Sequence, residues 1–183
     1  MNSKDEEKEV LEQLEKIFSN VNQWLSFAEV KNGAILAFNF TVLSFLSQDT
    51  ILKNNYFLPV IYIIILMSTT IVLISFMPNS GIKIFDALKD SFLLIEPRTK
   101  NLLYFERICF YDNNAYLKAV RRRYFGLDLP NQPDKYIQEE LDYVEEIIIN
   151  AKITTVKYFL FKLALKLCVI AITIIGILYI AYI

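Results

Sequence analysis

Apolar residues recur at alternating spacings of three and four near the start of the chain: Leu11, Leu14, Phe18, Val21, Leu25 and Ala28. Val10, Ile17 and Trp24 lie beside them, and Asp5, Glu6, Glu9, Glu12 and Glu15 occupy the opposite side. Residues three and four apart share a helix face, so this pattern predicts a long amphipathic helix over 4–28 with a coiled-coil-like stripe. Such a stripe must be covered, and a later helix of the same chain is the simplest cover. Residues 34–46, AILAFNFTVLSFL, then turn apolar. A bilayer's hydrocarbon core is about 30 Å thick and needs about 20 helical residues. A span here therefore has to begin near Trp24, carrying Glu29, Lys31 and Asn32 at the interface. The clearest span is 57–77, free of charge and closed by Pro78-Asn79-Ser80-Gly81. The hydrophilic stretch 48–55 between the two predicts a turn, and hence an antiparallel hairpin of spans.

Residues 79–132 differ in kind, with nine Lys/Arg and six Asp/Glu among scattered aromatics. Short helices are predicted near 81–93 and 112–125, joined by a segment that includes 101–108. From Pro133 onward Ile137, Leu141, Val144, Ile148 and Ala151 fall on one helical face. Proline suits the first turn of a helix, where its missing N–H costs nothing. No breaker separates this helix from the uncharged stretch 167–183. Lys157, Lys162 and Lys166 precede that stretch, where their long stems can reach back to the headgroups. One helix is thus expected to rise from the cytosol straight into the bilayer.

Charge sets the orientation. Fourteen of the 19 Lys/Arg lie between Lys83 and Lys166, while 48–55 holds Lys53 alone. Basic residues stay on the cytoplasmic side, which puts 79–156 and the N-terminus inside and 48–55 outside. The opening residues MNSKDEEKEV are acidic and polar, so no cleavable signal peptide is expected. A hydrophobic share of 55% fits lipid contact better than a soluble core. The expected fold is all-α: a membrane protein with about three transmembrane helices and a helical cytoplasmic bundle. Its parts are a cytoplasmic amphipathic helix (1–28), a transmembrane hairpin (29–78), a cytoplasmic helical region (79–156) and a C-terminal transmembrane helix (157–183).

The candidate chemistry is sparse. The chain has no histidine, which removes the commonest general base and metal ligand together. Cys109 and Cys168 stand far apart with no CxxC or Cys/His spacing, and read as two reduced thiols. There is no GxGxxG, Walker loop or GxSxG, and no nucleophile beside a base. No catalytic residue, metal or cofactor is expected, and the chain does not read as an enzyme. A net charge of −1 gives no overall field to attract a nucleic acid polymer.

Three places carry polar groups that ask for an account. Arg121-Arg122-Arg123 is the densest charge, followed by Tyr124 and Phe125. Guanidiniums beside aromatics suit a phosphate and a stacked base, and they suit anionic headgroups or topology equally well. Consecutive helical residues point about 100° apart, so all three cannot face one ligand. Glu29, Lys31, Asn32 and Asn39 give the first span a polar edge; such groups either face the bundle interior or mark the membrane boundary. Asn150, Lys152 and Lys157 sit where the last helix meets the membrane, Asn150 and Lys157 on one face, and read as a boundary anchor.

Taken together, three stretches resemble a known group. Trp24 to Asn39, WLSFAEVKNGAILAFN, looks like an acidic-x-Lys approach to a first span. Asn101-Leu102-Leu103-Tyr104-Phe105-Glu106-Arg107-Ile108, followed by Asn114-Ala115-Tyr116-Leu117, looks like a central aromatic block. Asn150-Ala151-Lys152-Ile153 and Lys157-Tyr158 look like the approach to a last span. In this order they resemble the small transmembrane effectors of Pycsar, a bacterial anti-phage system, over nearly the whole chain. The sequence departs from that pattern with Glu29 in place of Asp, Asn32-Gly33 in place of a small pair, and Glu106-Arg107 after Phe105 in place of Gly and an acidic residue.

The resemblance implies a mechanism. A partner cyclase makes a cyclic pyrimidine mononucleotide, cCMP or cUMP. The effector, in the inner membrane and as a homo-oligomer, senses it and breaks membrane integrity, giving abortive infection. On this footing Tyr104, Phe105, Arg107 and the arginines Arg121, Arg122 and Arg123 are the expected ligand contacts. Glu29, Lys31, Asn150 and Lys157 are the expected couplers to the spans. Two other classes stay open on the residues alone: a constitutive holin-like or toxin-like pore-former, and a membrane-anchored scaffold whose N-terminal stripe recruits a partner.

Overall fold

The computed structural model describes residues 3–49, 55–77, 80–91, 93–127 and 135–182. Among them are six helices and no strand: α1 (Ser3–Gln48), α2 (Leu58–Ser75), α3 (Ser80–Asp90), α4 (Phe105–Ile108), α5 (Asn113–Phe125) and α6 (Lys135–Tyr182). The fold is all-α, as expected. α3 and α5 fall within a few residues of the helices predicted near 81–93 and 112–125, while α4 is an added short turn inside the joining segment. Most of the turn at 48–55 lies outside the described residues, as do Pro78, Asn79 and the proline start at Pro133.

The amphipathic helix does not end at 28. α1 continues unbroken through the first span, and α6 passes in the same way from charged sequence into apolar sequence. Neither contains proline, and the one glycine in each costs only about 1 kcal/mol of helix propensity. The chain divides into two compact units whose limits cut both long helices: Met1–Ser26 with Ile82–Thr155, and Phe27–Gly81 with Val156–Ile183.

In the first unit α1 and α6 run side by side in the same direction. The rings of Phe18 and Tyr143 meet edge to face at 6.2 Å, and Asn150 Nδ2 donates to Asn22 Oδ1 at 2.9 Å. The α1 stripe is therefore covered from within the chain, but its buried centre is Val10, Leu14, Ile17 and Val21. Leu11, Phe18 and Leu25 are half-buried on its flank, because α6 lies toward the Val10 side. Val144, Ile147, Ile148 and Ala151 answer from α6. Phe105 of α4 packs on Trp24 at 5.6 Å between ring centres, and Phe85 of α3 meets Phe110 at 5.9 Å. α5 is bounded by local chemistry at both ends. Asp112 Oδ1 accepts from Ala115 N at 2.8 Å as N-cap, and Gly126 closes the helix in the left-handed conformation at φ 69°.

In the second unit α1 and α6 again run parallel, with α2 antiparallel to both. Ile35, Val72, Ala164 and Cys168 form one buried cluster, and Leu46, Ile61, Ile65 and Ala171 form another. Outside these layers the surface is apolar: Phe38, Phe45, Ile63, Leu66, Leu73, Val169, Ile172 and Ile177 are all exposed. Water would not tolerate such a surface at this extent, whereas hydrocarbon solvates it. Three helices, Lys8–Gln48, Leu58–Ser75 and Gln138–Ala181, are long and apolar enough to cross a membrane. At 1.5 Å per residue the 18 residues of α2 extend about 27 Å, close to the hydrocarbon thickness. This is a membrane protein.

Candidate functional site

The first unit carries an open cleft of about 400 Å³ lined by Lys100, Leu102, Arg107, Tyr111, Ala119, Arg122 and Arg123. Four of the seven residues are cations. α5 presents Ala119, Arg122 and Arg123 from one face, since positions three and four apart lie together on a helix. Arg107 comes from the end of α4 with its guanidinium 5.0 Å from the Tyr111 ring, a cation–π distance. Arg107 Nη1 is also paired with Glu96 Oε1, yet its Nε is buried with no hydrogen-bond acceptor. Tyr111 in turn packs against Tyr116 at 5.5 Å, whose hydroxyl donates to Leu102 O at 2.6 Å. Burial pushes the Tyr116 phenol far up, with Tyr124 and Tyr111 adding to the shift, so it remains a donor and fixes this wall of the cleft.

The arginine triplet splits as the 100° rotation requires. Arg122 and Arg123 line the cleft, whereas Arg121 points into the core. There it forms a two-pronged ion pair with Glu140 of α6, Nε to Oε2 at 2.7 Å and Nη2 to Oε1 at 2.6 Å. Arg121 is thus not among the residues facing the cleft, because its donors are committed to a buried carboxylate. Phe105 is likewise a core residue under Trp24. Tyr104 stands beside Phe105, and its hydroxyl donates to Glu106 Oε2 at 2.7 Å. Burial, then the Glu106 acceptor, push its phenol up to about 12. Lys100 and Tyr111 were not singled out in the sequence; the cluster of basic and aromatic residues around them was the only signal.

Residues 13–183 match the family model described as the Pycsar effector protein domain. The chain belongs to the Pycsar effector family. No curated protein and no solved structure matches it. Membership over this length places the chain in Pycsar anti-phage defence as a membrane effector.

The other residues expected to matter in this Pycsar effector fall in two places. Asn150 belongs to the first unit and pairs with Asn22, while Lys152 Nζ lies 5.6 Å from the Phe85 ring. In the second unit Lys157 Nζ bonds Glu29 Oε1 at 3.1 Å and sits 5.6 Å from the Phe76 ring. Lys31 Nζ stands over Tyr158 at 4.8 Å and Phe161 at 5.8 Å. Asn32, whose Nδ2 donates to Ala28 O at 2.9 Å and Lys157 O at 3.3 Å, is fully buried. Asn39 is buried as well. Its Nδ2 donates to Ser68 Oγ at 3.0 Å and its Oδ1 accepts from Cys168 Sγ at 3.0 Å. Ser68 Oγ donates to Ala164 O at 3.1 Å and lies 3.2 Å from Cys168 Sγ. Both cysteines are free thiols. In the first unit Cys109 accepts from Thr155 Oγ1 at 3.5 Å, and burial pushes its thiol up to about 11.

Proposed function

We propose that this Pycsar effector is gated by a cyclic pyrimidine mononucleotide, cCMP or cUMP, held in the cationic cleft of the first unit. The observation that carries the reading is the convergence of Lys100, Arg107, Arg122 and Arg123 on one cleft with Tyr111 in its wall. A cyclic mononucleotide offers one phosphodiester anion and one aromatic base. Forked guanidinium donors match the first and a tyrosine face the second. The buried Nε of Arg107 is a donor awaiting an acceptor, which a phosphate oxygen supplies. The cleft volume of about 400 Å³ falls within the roughly 300–1,000 Å³ usual for small-molecule sites.

On this reading the first unit lies in the cytoplasm, the second in the inner membrane, and the N-terminus inside, following the distribution of basic residues. Ligand ordering α4 and α5 acts on α6 through Arg121–Glu140, and α6 runs on into the last span. Glu29, Lys31, Asn150 and Lys157 are the coupling residues. Homo-oligomers then break membrane integrity and infection is aborted. The test is dye release from liposomes carrying the purified full chain, titrated with cCMP, cUMP, cAMP and cGMP. Release with one pyrimidine nucleotide alone is the expected result. Release with no nucleotide present would make the protein a constitutive pore-former, and silence under all four would favour a scaffold.

A further inference from the structure

The core of the membrane unit alternates between apolar and polar layers. α1 and α2 keep one register along their contact: Leu46 lies in a cluster with Ile61, Asn39 bonds Ser68, and Ile35 lies in a cluster with Val72. Each step back along α1 is matched by an equal step forward along α2. On that register Asn32 faces Ser75. Both are buried, at 0% and 5% exposure, and Asn32 Oδ1 and Ser75 Oγ have no hydrogen-bond partner. Seven residues separate Asn32 from Asn39 and Ser68 from Ser75, about 10.5 Å along each helix. Two polar layers thus stack along one line of the unit, one closed on itself through Cys168 and the other with two unsatisfied oxygens.

We infer that this seam of Asn32, Asn39, Ser68 and Ser75 is the surface along which the activated protein admits water and small ions. The inference rests on the reading of the chain as a membrane-disrupting effector. Unsatisfied amide and hydroxyl oxygens inside a bilayer are costly, and water or a hydrated cation satisfies them. In the packed unit the layers of Ile35, Val72 and Ala164, and of Leu46, Ile61 and Ala171, close the line. It wets only when α2 separates from α1 and α6, which breaks the Asn39–Ser68–Cys168 ring. The seam's side chains are all neutral, so it passes small ions of either sign with weak preference. A single fixed charge introduced there sets the preference.

Cys168 is a native reporter in the Asn39–Ser68 layer of the seam. The full chain in phosphatidylethanolamine/phosphatidylglycerol liposomes is exposed to a cationic, membrane-impermeant methanethiosulfonate reagent, with and without cCMP or cUMP, and the modified cysteine is located by peptide mass. Modification of Cys168 only with the activating nucleotide, with reduced leakage, is the expected result. In planar bilayers Asn39→Asp should shift the reversal potential toward cation selectivity. Nucleotide-driven leakage with Cys168 untouched, or Asn39→Asp with unchanged selectivity, overturns the seam and leaves nucleotide gating standing. A wild-type protein that leaks with neither nucleotide overturns the effector reading and the seam together.

Discussion

Replacing Glu140 by alanine isolates a buried ion pair of the first unit. Arg121 and Glu140 have side-chain exposures of 6% and 0% and share two hydrogen bonds of 2.6 and 2.7 Å. Glu140→Ala leaves a guanidinium in a dry interior with neither partner nor solvent. Removing one member of such a pair typically costs about 3–5 kcal/mol, a large part of the roughly 5–15 kcal/mol by which a domain is stable. The double variant Arg121→Met/Glu140→Leu removes both charges and keeps most of the volume, so it should recover most of that loss. The chain has one tryptophan, Trp24, and it packs against Phe105 in this unit. Its fluorescence during denaturant titration in detergent micelles therefore reports this unit's unfolding. The expected order of midpoints is wild type, then the double variant close to it, then Glu140→Ala far below. A Glu140→Ala variant within about 1 kcal/mol of wild type, or a double variant as unstable as the single one, would refute the claim that the pair is dry and mutually dependent.

Arg122→Ala and Arg123→Ala each remove a charge-assisted contact of about 1.5–3 kcal/mol, so calorimetry should show nucleotide affinity falling about ten- to a hundredfold; unchanged affinity in both would place the ligand elsewhere. Glu96→Gln frees Arg107 from its half-exposed carboxylate and should tighten binding by up to about fivefold, since such pairs contribute about 1 kcal/mol or less. For Cys109 the folded thiol titrates near 11 instead of 9.0, mainly through burial. Its stabilising contribution is complete below pH 9 and is lost as pH rises through 11, about 3 kcal/mol in all at 1.36 kcal/mol per unit. Unfolding midpoints of wild type and Cys109→Ala should differ in their pH dependence over that window, and parallel curves would contradict it. Asp112→Ala should cost about 0.5–2 kcal/mol as a lost N-cap. Gly126→Ala should cost about 1 kcal/mol through its φ of 69° alone, since nothing stands within 4 Å of an added Cβ; both are read by the same Trp24 titration.

Helix content and the three apolar stretches were legible along the chain because each rests on local repetition that survives without knowledge of any partner, and the family resemblance because it rests on three short stretches in a set order. The 3.6-residue stripe of α1 is one case, the uncharged run of α2 another, and the angular split of the arginine triplet a third. The same locality explains what was not legible. Which flank of the α1 stripe is innermost depends on where α6 lies. That Arg121 is the buried arginine depends on Glu140, 19 residues away on another helix, a carboxylate on the same buried face of α6 as its apolar stripe. Lys100 and Tyr111 join Arg107, Arg122 and Arg123 only because two short helices fold around one cleft.

Along the membrane unit the division is the same. The order of residues alone requires that apolar side chains cover three long helices, since hydrocarbon accepts little else on their outer face. It marked Asn32 and Asn39 as a polar edge, while Ser68, Ser75 and Cys168 lie within uncharged apolar runs that gave no reason to single them out. That Asn39, Ser68 and Cys168 meet across three helices came from the packing alone. Hydrogen bonds are directional and short, so they are fixed by how three helices meet rather than by the order of residues within any one of them.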